Sequence, residues 1–217
     1  MASFPLHLEI LPDQQRRLWG ELAQVPSEFV LYGGTAVALR LAHRQSVDFD
    51  LFSDHAFDVE QLAATVPFLA NAQVIQRAPN TLSVVVDRGG SVKVSFFGLP
   101  GFPHLRPPDQ AADNGVRVAS LLDLAGTKAS VVQVRAEARD YVDLDAIITL
   151  GHIDLPTVLA AAALIYRRQF NPQVTLKALS YFEDGNLPTL SAALKARLAD
   201  AARAVDLDRL PVLHASG

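Results

Sequence analysis

Two groups of residues that could bind a ligand or take part in a reaction lie close together in the first quarter of the chain. Gly33 and Gly34 interrupt an apolar run, residues 29–32, that favours a strand, and residues 35–42 favour a helix. The start of a helix behind a glycine turn offers unpaired N–H groups and the positive end of the helix dipole. The glycine pair therefore predicts a site for an anion such as phosphate.

Asp48 and Asp50 occupy the next apolar run, residues 46–52. Residues two apart on a strand point to the same face, so both carboxylates are expected to project together with Phe49 buried behind them. Two carboxylates on one face can hold a hard cation such as Mg²⁺, which keeps some of its waters and binds substrate phosphates. Taken singly, the glycines could be only a turn and the aspartates only solvated strand residues. Their combination at this spacing favours a binding or catalytic site over these separate structural roles.

This combination resembles the nucleotidyltransferase core of the DNA polymerase beta superfamily. Residues 33–52 closely resemble the AbiEii-type nucleotidyltransferases, the toxins of type IV toxin–antitoxin pairs, and the resemblance runs over nearly the whole chain, including residues 180–184. It implies a Mg²⁺-dependent enzyme of the EC 2.7.7 type that moves a nucleoside monophosphate from a nucleoside triphosphate to an acceptor. Related toxins imply tRNA or another RNA as that acceptor, and a cognate antitoxin protein as partner.

The superfamily usually has a third carboxylate on a later strand, and this chain has Ser95 there instead. The strand predicted over residues 91–97 alternates between inward apolar and outward polar side chains, the outward ones being Ser91, Lys93 and Ser95. A serine cannot supply the missing charge. The metal site is therefore expected to have two carboxylates, and either binds metal more weakly or is completed by another residue.

Lys128, Arg139, Asp140 and Asp143 form a second group that matches a helical lysine and an Arg-Asp-x-x-Asp element of the family. The resemblance implies that Lys128 binds nucleotide phosphates and that Asp140 supports the site. Most lysines are solvated, but an isolated lysine in an apolar helix, predicted over residues 121–135, needs a reason. Lys128→Ala is accordingly expected to weaken triphosphate binding without unfolding the protein. For the other residues, a structural salt bridge between the two halves of the chain is an equal alternative.

The expected site residues fall into four roles. The nucleotide-binding residues are Gly33, Gly34, Thr35, Arg44 and Lys128, where Arg44 either contacts phosphate or pairs with Asp48. The catalytic residues are Asp48, Asp50, Lys128 and Asp140, and the metal ligands are Asp48 and Asp50. The supporting residues are Arg139, Asp143 and Ser95.

Composition narrows the class of protein. The chain has 217 residues, half of them hydrophobic, which is enough to bury a core. Its formal net charge of -4 argues against a general nucleic-acid coat protein but leaves room for a local basic groove. The absence of cysteine excludes disulfides and cysteine-based zinc or nucleophile sites, and it fits the reducing cytoplasm, where the protein is expected. The chain shows neither a signal peptide nor an apolar run long enough for a membrane span.

The order of predicted elements indicates an α+β protein. Residues 1–118 are expected to form a nucleotidyltransferase core with a mixed sheet, and residues 119–217 an all-α domain that completes the active-site cleft. Residues 98–114, rich in proline, are a poor candidate for regular structure. Helices are predicted over residues 12–25, 35–42, 58–66, 121–135, 138–150, 155–170, 172–182 and 191–205. Strands are predicted over residues 29–32, 46–52, 73–76, 81–86, 91–97 and 116–118.

Two rival functions remain open at this point. One is a non-catalytic nucleotide-binding or partner-binding protein that keeps the fold, and Ser95 supports it. The other is an enzyme that uses the same core to modify a small molecule such as an antibiotic. Transfer of labelled nucleotides to different acceptors distinguishes all three.

Overall fold

The structure, a computed structural model, describes residues 4–215. They fall into two compact units. The N-terminal unit runs from the start of the described chain to Pro103 and includes Pro108–Ala119. The C-terminal unit comprises His104–Pro107 and the chain from Ser120 onward. Within the described chain, no helix is long and apolar enough to cross a membrane.

A seven-stranded mixed sheet forms the frame of the N-terminal unit, with the strand order β3-β4-β5-β2-β1-β7-β6. Strand β2 runs antiparallel to β1 on one side and parallel to β5 on the other. The strands are β1 (Val30–Tyr32), β2 (Asp48–Ser53), β3 (Gln73–Ala78), β4 (Thr81–Asp87), β5 (Ser91–Gly98), β6 (Asp109–Gln110) and β7 (Arg117–Val118). All of them lie between residues 29 and 118, which confirms the predicted α+β class.

Strand β6 is a correction, because it lies in the segment expected to lack regular structure. It consists of two residues, Asp109 and Gln110, which pair antiparallel with β7. A strand of two residues is too short to show a period-2 pattern in the sequence. It can be recognised only from its hydrogen-bonded pairing with β7 in the structure.

In the described part of the N-terminal unit, three α-helices accompany the sheet: α1 (Asp13–Trp19), α2 (Gly33–Leu41) and α3 (Val59–Thr65). The helix predicted over residues 12–25 is α-helical only to Trp19 and continues as a 3-10 helix over Gly20–Gln24. Helix α2 begins at the glycine pair itself, two residues before the predicted start. The side chain of Asp58 accepts a hydrogen bond from the Gln61 N–H and so caps α3, as expected.

The described part of the C-terminal unit contains helices and no strand, as the sequence predicts. The helices are α4 (Leu121–Val131), α5 (Ala138–Thr149), α6 (Leu155–Tyr166), α7 (Pro172–Ala178) and α8 (Ala192–Arg203). The predicted ends of α4, α6 and α7, at residues 135, 170 and 182, are too late. In α6 the reason is local, because Arg167 adopts a positive φ of 50°, which an α-helix cannot continue.

The buried face of β2 anchors the strand that carries the two aspartates. Phe49 and Leu51 are buried, whereas Asp48, Asp50 and Phe52 are half-buried, which is the alternation of a strand with one core face. The ring of Phe49 lies 6.2 Å from that of Trp19 on α1. Burial of a side chain as large as phenylalanine stabilises the fold by roughly 1.5–3 kcal/mol. This packing fixes which face of β2 the carboxylates occupy.

Candidate functional site

The glycine turn and the Asp50 carboxylate are in direct contact in the N-terminal unit. Gly33 follows β1, whose last residue, Tyr32, lies opposite Asp50 on β2. Gly33 adopts a φ of +72°, and a Cβ atom at this position would lie 2.5 Å from Oδ2 of Asp50. Glycine is therefore required for two reasons, the left-handed backbone and the space that the carboxylate occupies. The first turn of α2 and the Asp50 carboxylate share one small region.

Thr35 ties the beginning of α2 to the beginning of β2. Its side chain is buried, and its hydroxyl lies 2.8 Å from that of Ser46 and donates to the carbonyl oxygen of Asp48. The hydroxyl is thus occupied by the protein. What Thr35 can offer a phosphate is its backbone N–H, since the first N–H groups of a helix have no intrahelical partner.

Four aromatic rings support this region from further along the strands. The ring of Phe52 stacks on that of Tyr32 at 4.9 Å and meets those of Phe97 and Phe102 edge-on at 5.3 Å and 6.1 Å. Phe52 is two residues beyond Asp50 and so shares its face of the sheet. The cluster holds β1, β2 and β5 together beside the carboxylates.

Ser95 lies opposite Asp50 in the parallel pairing of β2 with β5, so it is the nearest neighbour of that carboxylate on the next strand. It was expected to point outward. It is on that face, but only 1% of its surface is exposed, and its hydroxyl lies 3.1 Å from that of Ser83 on β4. A buried hydroxyl held by another hydroxyl stabilises the sheet and contributes no charge to the site.

Arg44 precedes β2 and is half-buried. One of its N–H groups donates to the carbonyl oxygen of Gln45 at 2.8 Å. This bond ties the guanidinium to the loop that leads into β2. A contact between Arg44 and phosphate stays a prediction.

Asp48 and Asp50 present a donor set that fits a divalent metal. Carboxylate oxygens are the ligands that Mg²⁺ prefers, and the two side chains share one face of β2. Within residues 4–215, no group of three or more His, Cys, Asp or Glu side chains could hold a metal ion. A metal held by these two carboxylates would take further ligands from water and substrate oxygens.

The C-terminal unit brings three of the predicted residues together in a buried ion cluster. The ammonium of Lys128 on α4 lies 2.7 Å from Oδ1 of Asp140 and 2.6 Å from Oδ2 of Asp143, both on α5. Lys128 is 5% exposed, and both aspartates are fully buried. Two of the three N–H donors of the ammonium are thus engaged, and the third remains for another acceptor.

This burial corrects one expectation about Lys128. Removal of one partner from a buried ion pair leaves an uncompensated charge and costs about 3–5 kcal/mol. The Lys128→Ala variant is therefore expected to lose stability as well as any phosphate contact, so it does not isolate the binding role.

Arg135 is the member of the cluster that sequence reasoning missed. Its guanidinium donates two hydrogen bonds to Asp140, at 2.7 Å and 3.0 Å. Burial alone would raise the pKa of Asp140, but the hydrogen bonds from Arg135 and the charge of Lys128 outweigh it and hold that pKa below its ordinary value. A carboxylate in this state is a weak base, so Asp140 is suited to orient Lys128. The sequence placed Arg135 at the end of α4, whereas it lies in the α4–α5 connection, where it can reach Asp140.

The fold is that of the nucleotidyltransferases. A protein from H. pylori described as a nucleotidyltransferase has a crystal structure that matches with a TM-score of 0.56 and 16% identity, over 94% of this chain and 95% of that chain. MenT4, a nucleotidyltransferase toxin of Mycobacterium tuberculosis H37Rv, matches with a TM-score of 0.57 and 16% identity, over 90% of this chain and 86% of that chain.

Sequence comparison gives the family. The profile of the nucleotidyl transferase AbiEii toxins of type IV toxin–antitoxin systems matches residues 17–211. The uncharacterised protein aq_aa25 of Aquifex aeolicus (strain VF5) is 30% identical over 160 residues, which are 73% of this chain and 75% of that protein. The chain belongs to the AbiEii nucleotidyltransferase toxin family and is a transferase of a type IV toxin–antitoxin system. Membership implies a nucleoside triphosphate substrate and an antitoxin partner.

Proposed function

We propose that this enzyme transfers a nucleoside monophosphate from a nucleoside triphosphate to a hydroxyl group of RNA, with tRNA as the first candidate, and that it requires Mg²⁺. The proposal places the reaction in the cytoplasm, where these substrates occur. The observation that carries it is the contact between Gly33 and Asp50, since it puts a helix start suited to phosphate beside a carboxylate suited to a metal.

The first turn of α2 holds the β- and γ-phosphates in this proposal. Gly33, Gly34 and Thr35 supply backbone N–H groups, and the positive end of the helix dipole favours the negative charge there. Arg44 supplies a further cation from the loop before β2. Lys128 binds a phosphate through its third N–H donor, while Asp140 and Asp143 fix the position of its ammonium.

Asp48 and Asp50 hold Mg²⁺ in this proposal. When bound, the metal neutralises phosphate charge and helps to align the α-phosphate for in-line attack. The acceptor oxygen forms a bond to the α-phosphorus as the bond from that phosphorus to the bridging oxygen breaks, and pyrophosphate leaves. The hydroxyl proton passes to solvent, because Ser95, which lies opposite Asp50, is a poor base at neutral pH.

A non-catalytic binding protein is the second candidate, and the position of Ser95 favours it. The residue opposite Asp50 on β5 carries no charge. A site with two carboxylates could bind a nucleotide, or a partner protein, without transferring a nucleoside monophosphate.

An acceptor screen tests the proposal. The purified protein is incubated with each labelled nucleoside triphosphate and Mg²⁺, together with total RNA or, separately, with aminoglycosides. We expect label in the RNA fraction with wild type and none with Asp50→Asn, which removes a charge at nearly constant shape. Label on the small molecules alone would replace RNA by an antibiotic-type acceptor. Label on nothing would leave the binding protein as the better account.

A further inference from the structure

Lys93 shares the face of the sheet that carries Asp48 and Asp50. In the parallel pairing of β2 with β5, Lys93 lies opposite Asp48 as Ser95 lies opposite Asp50. Residues opposite each other on neighbouring strands point to the same side, and the strands are about 4.8 Å apart. The ammonium of Lys93 is therefore within side-chain reach of the space above the carboxylates.

The position of Lys93 in the sheet is unusual for a lysine that serves only solubility. Lysines protect exposed sheet edges from pairing with other chains. Strand β5 is an interior strand, hydrogen-bonded to β4 on one side and β2 on the other. Lys93 is nevertheless exposed, and none of residues 4–215 forms a salt bridge or side-chain hydrogen bond with it. A cation that faces a row of carboxylates without pairing is available to a ligand.

The carboxylates lie between Lys93 and the glycine turn. Strand β1, which leads into Gly33, flanks β2 on one side, and β5 with Lys93 flanks it on the other. A phosphate chain that begins at the first turn of α2 and passes over Asp48 and Asp50 reaches Lys93 one strand further on. The phosphate nearest Lys93 is then the α-phosphate, at which transfer takes place.

We infer that Lys93 is a catalytic residue that donates hydrogen bonds to a non-bridging oxygen of the α-phosphate. The inference rests on the proposed function. Ser95 leaves this site one carboxylate short of the superfamily pattern, and thus with less capacity to hold metal charge near the α-phosphate. The fixed positive charge of Lys93 supplies part of that stabilisation as negative charge develops in the transition state. No proton moves to or from Lys93 in this role.

The test compares Lys93→Gln, Lys93→Arg and a matched control, Lys177→Gln. Lys177 on α7 is also exposed and is not paired with any of residues 4–215. Transfer to total RNA at saturating nucleoside triphosphate gives kcat, and calorimetry gives the Kd of the triphosphate with Mg²⁺. We expect Lys93→Gln to lower kcat about 100-fold, as loss of a transition-state hydrogen-bond donor does. Its Kd should change far less, Lys93→Arg should restore part of the rate, and Lys177→Gln should match wild type.

The outcomes separate this inference from the function on which it rests. Wild-type transfer that Asp50→Asn abolishes and Lys93→Gln leaves unchanged overturns the role of Lys93 alone. A Lys93→Gln defect confined to Kd, or one equalled by Lys177→Gln, also overturns it, because either result indicates general electrostatic attraction. Absence of transfer by wild type to any acceptor overturns both proposals.

Discussion

Gly33 is the residue at which backbone and side-chain requirements coincide, and it supports a sharp prediction. An alanine there must adopt a φ of +72° and place its Cβ 2.5 Å from Oδ2 of Asp50. The backbone alone costs about 1–2 kcal/mol. We expect Gly33→Ala to displace the Asp50 carboxylate and abolish nucleotide transfer, as measured with labelled triphosphate.

Gly101 provides the matched control for Gly33. It has a similar φ of +79°, but a Cβ there would meet nothing within 4 Å. Gly101→Ala should therefore show a comparable loss of stability on urea denaturation and retain full transfer. Equal activity in the two variants would show that the contact between Gly33 and Asp50 has no bearing on the reaction.

Lys128 needs a test that keeps the buried charge balanced. Lys128→Met alone removes the ammonium that contacts both Asp140 and Asp143, whereas Lys128→Met with Asp143→Asn also removes one of the two buried negative charges and leaves the ion pair of Arg135 and Asp140 in place. We expect the single variant to lose about 3–5 kcal/mol of unfolding free energy. The unfolding free energy of the double variant should be closer to that of wild type than the sum of the two single-variant losses predicts. Urea denaturation measures both.

The double variant also separates phosphate binding from folding. If Lys128 contacts the substrate, this folded protein should bind triphosphate at least about tenfold more weakly than wild type, which corresponds to about 1.4 kcal/mol. Unchanged affinity by calorimetry would assign Lys128 a structural role only.

Sequence reasoning at the residue scale succeeded where chemistry and spacing are local. The placement of Asp48 and Asp50 on one face needs only a strand, and the shared face of Asp140 and Asp143 needs only a helix. It missed Arg135, because its pairing depends on where α4 ends. It also could not foresee that the Thr35 hydroxyl is occupied by Ser46 and Asp48, since these contacts depend on how α2 meets β2.

Helices α4 and α6 pack at Gly126, which positions the helix that carries Lys128. A Cβ at Gly126 would lie 2.8 Å from Cδ1 of Ile165 and 3.0 Å from backbone atoms of Ala161 and Ala162. Because those backbone atoms cannot move without displacing α6, Gly126→Ala should destabilise the protein by about 1–3 kcal/mol on urea denaturation.

Gly20 is the control for that substitution. Its backbone is helical, with a φ of -62°, and a Cβ there would have no neighbour within 4 Å. Gly20→Ala should therefore be neutral or stabilise the protein by up to about 1 kcal/mol through helix propensity. Destabilisation of similar size in both variants would contradict the account of close helix packing at Gly126.

Element boundaries were harder to predict than element types. The apolar periodicity indicated every α-helix of the described chain, but α4, α6 and α7 end earlier than their patterns suggest. The pattern reports which residues face a core, and residues beyond a helix end can still be buried, as Val132 and Phe170 are. Tertiary packing therefore extends the apolar pattern past the last helical turn.

At the scale of the molecule, the α+β class could be predicted because strand and helix patterns occupy different parts of the chain. The strand order could not. Strand β2 pairs with β5, and β1 pairs with β7, although other strands or helices intervene in the sequence. The position of Ser95 beside Asp50, which limits the metal ligands, becomes visible only through this long-range register.

Asp48 and Asp50 are proposed to form a triphosphate site that depends on a metal. Calorimetric titration with a nucleoside triphosphate, with and without Mg²⁺, tests it without knowledge of the acceptor. Wild type should bind at least about tenfold more tightly with Mg²⁺, because substrate oxygens complete a shell that two carboxylates begin. Asp50→Asn should lose this Mg²⁺ effect, and Ser95→Ala should keep it. Equal affinity of wild type with and without Mg²⁺ would contradict the account.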